Sequence, residues 1–137
     1  KVETMPKNVY FKRASKGGPN KSPEFSFVLV GWGSGTGESS SPLKSLLATH
    51  DKSKGMGASN RGRHANPMMD EVLLKALATV DDKERGTLLA KATEIGIGED
   101  QGIIPLHYQV NTWATRPGLK YNARADERTV GLDLVKE

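Results

Sequence analysis

Apolar positions recur with a helical period in the middle of the chain. Met69, Val72, Leu73, Ala76, Leu77 and Val80 fall at i, i+3, i+4, i+7, i+8 and i+11, while Glu71, Lys75 and Thr79 lie elsewhere on the cylinder, so a helix with one buried face is predicted. Its start is readable. Asn66 is placed to accept from first-turn amides, Pro67 suits the first helical position because its missing N–H would have been unpaired, and Asp70 and Glu71 favour the positive end of the dipole. Asp81 caps a second helix, with Glu84 completing a capping box, and Leu88, Leu89, Ala92 and Ile95 continue the apolar face. The short reversal between them predicts an αα-hairpin over residues 66–100. Gly96 and Gly98 soften its end, at about 1 kcal/mol each relative to Ala.

Elsewhere the period shortens to two. Val9 and Phe11, with Tyr10 and Lys12, make a short strand candidate, followed by a surface connection, SKGGPNKSPE. Phe25, Phe27, Leu29 and Gly31 alternate with Ser26, Val28 and Val30; apolar residues on both faces of the second half predict a strand inside a covered sheet. Ile103, Ile104, Leu106, Tyr108 and Val110 predict another strand, which Pro105 confines to an edge, a start or a bulge. Residues 112–115 read as a second strand or its continuation, 119–122 as a short uncertain piece, RADERT as a charged turn, and VGLDLV as a last strand whose partner the sequence does not identify. Residues 39–50 predict a short helix with a Ser cap before Pro42 and with Leu43, Leu46 and Leu47 facing inward, and 51–63 a polar loop. The class expected is α/β, a short mixed sheet with a packed helical hairpin.

Between the second strand candidate and the short helix lies Gly31-Trp32-Gly33-Ser34-Gly35-Thr36-Gly37-Glu38. Glycines at alternate positions permit positive φ and close approach of another group, which a ligand-contacting loop requires and a flexible turn would also show. The spacing fits neither G-x-G-x-x-G nor G-x-x-x-x-G-K, so phosphate binding is not expected from it.

Other chemistry is sparse. His50, His64 and His107 stand far apart without metal-ligand spacing, and the carboxylate pairs Asp70-Glu71, Asp81-Asp82 and Glu99-Asp100 all sit at helix ends. Met68-Met69 reads as core filler, and no nucleophile elbow is present. The chain has no cysteine, which removes disulfides and thiolate chemistry. Neither an enzyme nor a bound cofactor or metal is expected. Among 137 residues, 36% apolar and 26% charged describe an ordinary single domain. The net charge of +4 is uneven: 11 basic against 4 acidic residues before Asn66, 9 against 12 from there on. That excess admits a second reading, a basic nucleic-acid-binding module, although the lysines are scattered and no aromatic residues are interleaved as stacking platforms. That scatter favours a solvated surface as the account of the charge.

The ordered run N-x-x-x-H-x-N-P-x-x-D, then A-L-A-T-V-D-D-x-x-R, then E-D-x-G-I-I-P-L-H-Y-Q-V-N resembles the C-terminal part of family 5 extracellular solute-binding proteins. These are the peptide, nickel and oligosaccharide receptors of ABC importers. The resemblance runs from about residue 9 to residue 116, and Gly31-Trp32 matches the family's G-W. It implies that residues 1–137 form a single C-terminal lobe fragment of a bilobal receptor, a partial lobe of a periplasmic-binding-protein type II fold, with a ligand loop at 31–38. It also implies periplasmic location, a small solute (a peptide or possibly a sugar), a partnering inner-membrane ABC permease, no nucleic acid, and a monomeric full-length protein. An opening of KVETMPKNVYF, with no signal-peptide core, agrees with a fragment. The ligand-binding residues implied are Trp32, Gly33, Ser34, Gly35, Thr36, Asn60, Arg63, His107 and Gln109. In peptide-binding members an Asp three positions beyond the Trp pairs with the peptide's ammonium. Gly35 stands here instead, which speaks against a free-amine peptide unless the counter-charge comes from elsewhere.

Overall fold

The computed structural model describes residues 2–137. Helix α1 spans Lys7–Lys16 and is followed by a 3-10 turn, Pro19–Lys21. A second helical stretch opens as α2, Ser40–Pro42, and widens into a π turn, Leu43–Leu47. The hairpin is α3, Pro67–Ala78, and α4, Asp82–Thr93, which runs into a second π turn, Glu94–Glu99. Two short strands, β1 (Leu119–Tyr121) and β2 (Leu134–Lys136), pair antiparallel with Lys120 opposite Val135, and a 3-10 turn, Gly131–Asp133, precedes β2.

The hairpin forms where its caps predict. Asn66 Oδ1 accepts from the amides of Met68 (3.0 Å) and Met69 (3.2 Å), and Asp81 Oδ1 from that of Glu84 (2.8 Å). The Glu84 carboxylate does not close the box; it lies 3.6 Å from Lys75 Nζ, an ion pair across the hairpin. Met69, Leu73, Ala76, Leu89, Ala92 and Ile95 bury the facing stripes. Val80, expected to extend the first stripe, is 93% exposed, because α3 ends at Ala78 and Thr79 turns into extended backbone.

Leu43, Leu47 and Ala48 complete the same core from the second helical stretch, with Leu46 half-buried. Met56 joins them from the loop that the sequence presents as polar. A tight reversal between Asp51 and Met56 turns it inward, and Gly57 at φ +63 lets the backbone pass Ala48, whose carbonyl oxygen would lie 2.5 Å from any Cβ there. The helix expected over 39–50 has its cap elsewhere than predicted: the Ser40 amide donates to the Glu38 carboxylate at 3.3 Å, and Ser39 makes no side-chain cap.

Several strand expectations are corrected. Residues 7–16 are helical, since Tyr10, Phe11 and Ala14 share a helical face and Pro6 supplies the entry; the alternation of Val9 and Phe11 was too short to tell period two from period 3.6. Residues 25–31, 103–110 and 112–115 carry no regular secondary structure, and among the described residues they make no strand pairing. Their apolar side chains lack cover: Phe27, Leu29, Ile104, Leu106, Tyr108 and Val110 are all exposed. The last strand finds its partner in residues 119–121, the piece the sequence leaves uncertain. RADERT does turn, around an Arg124–Asp126 fork of 2.8 and 2.6 Å.

Candidate functional site

Loop 31–38 is organised by its last residue. The Glu38 carboxylate gathers Thr36 Oγ1 (3.1 Å), the Ser40 amide, the Ser40 hydroxyl and Arg85 Nη2 (3.4 Å). Its own carbonyl accepts from Ser34 Oγ at 2.7 Å, and Ser34 and Thr36 hydroxyls lie 3.3 Å apart. Burial pushes the Glu38 carboxyl up, yet the hydrogen bonds from Ser40, Thr36 and the Ser40 amide, with the Arg85 charge, outweigh it and hold the group below the usual carboxylate range. Glu38 is therefore ionised and already partnered at neutral pH. Of the four glycines, Gly37 alone has positive φ (+73), and its amide closes a turn onto the Ser34 carbonyl at 3.2 Å. A Cβ on Gly35 would meet nothing within 4 Å. Trp32 is 44% exposed at the head of the loop.

The remaining predicted residues divide. Gln109 reaches the loop: its Oε1 lies 3.6 Å from where a Gly31 Cβ would stand, while its Nε2 donates to Asn111 Oδ1 at 2.9 Å. His107 is exposed on the same segment. Asn60 is engaged with backbone. Its Nδ2 donates to the carbonyls of Ala48 (3.0 Å) and His64 (2.7 Å), and its Oδ1 accepts from the His64 amide (3.0 Å). Among the described residues no hydrogen bond joins Asn60 to loop 31–38. Arg63 is exposed at φ +56.

Two residues escape the sequence reading. Arg85 joins the loop to the hairpin, with Nη1 donating to the Ala76 carbonyl at 2.9 Å as well as Nη2 meeting Glu38. The D-D-x-x-R run marks this position, but nothing in a linear pattern says what the Arg reaches. His64, isolated in sequence, has Nδ1 2.7 Å from the Leu47 carbonyl and Nε2 2.7 Å from Asp100 Oδ2, which also accepts from Asn66 Nδ2 at 2.7 Å. Both partners of the ring are acceptors, a carbonyl on one side and a carboxylate on the other. No group of three or more metal-ligating side chains occurs among the described residues.

Two surface hollows lie away from the predicted ligand residues. One is a small hollow at Phe25 and Arg61, the other an apolar groove at Pro42, Leu46, Ile97 and Ile103. The excess positive charge of the first half is partly spent internally: Arg13 pairs with Glu24 at 2.5 Å and lies over the Phe25 ring, and Arg61 lies over Phe11.

Part of the chain is similar in sequence to periplasmic oligopeptide-binding proteins. The periplasmic oligopeptide-binding protein OppA of Salmonella typhimurium is 28% identical over 93 residues, 68% of this chain and 16% of the relative. The protein of the same name from Haemophilus influenzae is 35% identical over 63 residues, 46% of this chain and 12% of the relative. The chain thus spans less than a fifth of the length of either. No family model matches it, and no solved structure does. No helix among the described residues is long and apolar enough to cross a membrane.

Proposed function

We propose that the chain serves solute capture outside the inner membrane, as part of the binding component of a peptide-type ABC importer of family 5. One observation carries this reading: beside the ordered motifs, part of the chain is similar in sequence to two proteins that by name bind oligopeptides in the periplasm. The residues belong to one lobe of a bilobal receptor of type II fold. Solute is held between two lobes that close at a hinge, and the closed, monomeric receptor is presented to its permease. The activity is binding, with no chemical turnover.

Within that reading, Trp32 supplies apolar stacking area, residues 33–36 supply backbone groups and hydroxyls, and Gln109 supplies a neutral amide beside Gly31. His107 and Arg63 reach solute from exposed positions, whereas Asn60 acts from the backbone network that holds residues 47–64. With Glu38 committed to Ser40, Thr36 and Arg85, the loop favours a solute without a free ammonium at this point, such as a sugar or a peptide whose amine is met elsewhere.

The test is native mass spectrometry of the protein isolated from its own cell, at whatever length the cell makes it, before and after denaturation. A released small solute is expected, and its identity decides between peptide and neutral ligand. If nothing is released, and the protein instead retards nucleic acid with an affinity that collapses as salt rises, the receptor reading fails and the basic-module reading replaces it.

A further inference from the structure

A side-chain relay joins loop 31–38 to the helical hairpin. The Glu38 side chain meets both the loop's own hydroxyl at Thr36 and the first turn of α2 at Ser40. Arg85, on α4, is bonded at one end of its guanidinium to the last turn of α3, through the Ala76 carbonyl, and at the other to Glu38. Both side chains are about two-thirds withdrawn from solvent, at 27% and 32% exposure, so the pair is less screened than a surface ion pair. Arg85 is the right residue for such a joint, because its planar fork serves a carbonyl and a carboxylate together and Lys, a point charge, would not.

We infer that Glu38 is the positioning residue of loop 31–38 and that Arg85 transmits its position to the α3–α4 hairpin, so that the loop's shape and the hairpin's set change together. The functional meaning rests on the solute-capture reading: the residues offered to solute, Trp32 to Thr36, are held by a carboxylate that never touches solute, and a change at the loop is felt at the far end of α3. Ser34 and Thr36 are ordered through Glu38, so the hydroxyl pattern presented at the loop depends on Arg85 although Arg85 lies in another element.

Amide hydrogen exchange of the chain, read residue by residue without any solute, tests this. The reporters are the Gly37 amide, bonded to Ser34 O, and the Ser40 amide, bonded to Glu38. Glu38→Gln is expected to speed exchange at both by roughly tenfold, equivalent to about 1.4 kcal/mol of local opening. Arg85→Gln is expected to speed the same two amides by a similar factor, and the double variant to be no faster than either single one, the signature of one shared interaction. Arg85→Lys, which keeps the charge and loses the fork, is expected to restore only part of the protection. If Arg85→Gln speeds exchange in α3 and α4 and leaves Gly37 and Ser40 at their original rates, Arg85 is a hairpin residue only and the inference is overturned. Additive effects in the double variant overturn it as well. Should Glu38→Gln prevent folding, the Arg85→Gln result at Gly37 decides alone. Since no solute is present, failure here removes the relay and leaves solute capture standing, while a protein that releases nothing in mass spectrometry and instead retards nucleic acid removes solute capture and leaves the relay.

Discussion

Two glycines of the second helical run respond in opposite ways to an added methyl group. Gly86 lies within α4 on an exposed face, and a Cβ there would meet nothing within 4 Å. Gly86→Ala should therefore stabilise the fold by about 0.5–1 kcal/mol, the backbone entropy that glycine loses in a helix. Gly96 lies in the π turn after α4, buried, where a Cβ would stand 2.6 Å from Met69 Sδ and 3.3 Å from Leu47 Cδ1. Met69 is fully buried and has nowhere to retreat, so overpacking of about 1–3 kcal/mol outweighs the helical gain, and Gly96→Ala should destabilise. Urea midpoints of the two variants should move in opposite directions; movement in the same direction would show that propensity governs both. Sequence reading treats Gly96 as a soft helix end, because propensity is local and the approach of Leu47 and Met69 is not. The same gap explains Asn60. An Asn in a polar loop reads as a ligand group, and only three dimensions reveal three backbone groups converging on its amide.

At the scale of elements, the hairpin was legible because the signals that start and run each helix are local in sequence: the caps, Asn66 with Pro67 for α3 and Asp81 for α4, and the apolar period that follows each. The β elements were not, because a strand is specified by its partner, and alternation in residues 25–31 or 103–110 says only that such a partner would be welcome. What closes the hairpin is equally non-local. Asp100, beyond the end of the second π turn, returns to the α3 cap. Its carboxyl is held below the usual range by the hydrogen bond from Asn66 first and that from His64 second, against the pull of burial, with the His64 charge adding to them. A carboxyl more acidic folded than unfolded contributes stability that is present above the ordinary carboxylate range and is lost as pH falls through the folded value. The melting midpoints of the protein and of Asp100→Asn should accordingly differ most near neutrality and converge in acid. A difference that stays constant across that interval would mean that the carboxylate charge adds nothing to this closure.

At the scale of the whole molecule, the main buried cluster comes from the second helical stretch, the hairpin with its π turn and Met56, with Ala14 of α1 buried as well, while two segments without regular secondary structure carry apolar side chains into solvent. Leu106, Tyr108 and Val110 are 61%, 99% and 84% exposed, and Phe27 and Leu29, on the segment that meets them near Gly31 and Gln109, are 74% and 67% exposed. Single exposed apolar residues need no explanation, but a run of them along backbone that makes no strand pairing among the described residues invites pairing with any neighbouring chain. The core, by contrast, draws only Ile103 from these segments, at its edge, so the hairpin should stay folded when the exposed residues beyond Ile103 are altered. The 137-residue chain alone should therefore bind an apolar dye such as ANS and self-associate with rising concentration, while its far-ultraviolet helix signal stays constant. Leu106→Lys with Val110→Lys should lower both dye binding and self-association and leave the helix signal unchanged, because charges on an exposed strand-like edge oppose pairing without touching the core. If the double variant instead loses helix content, residues 103–110 are part of the cooperative fold, and the division between a closed helical core and open extended segments is wrong. If the unaltered chain stays monomeric and dye-silent at high concentration, the two segments cover each other in solution, and the apolar run is not the open edge that the exposures describe.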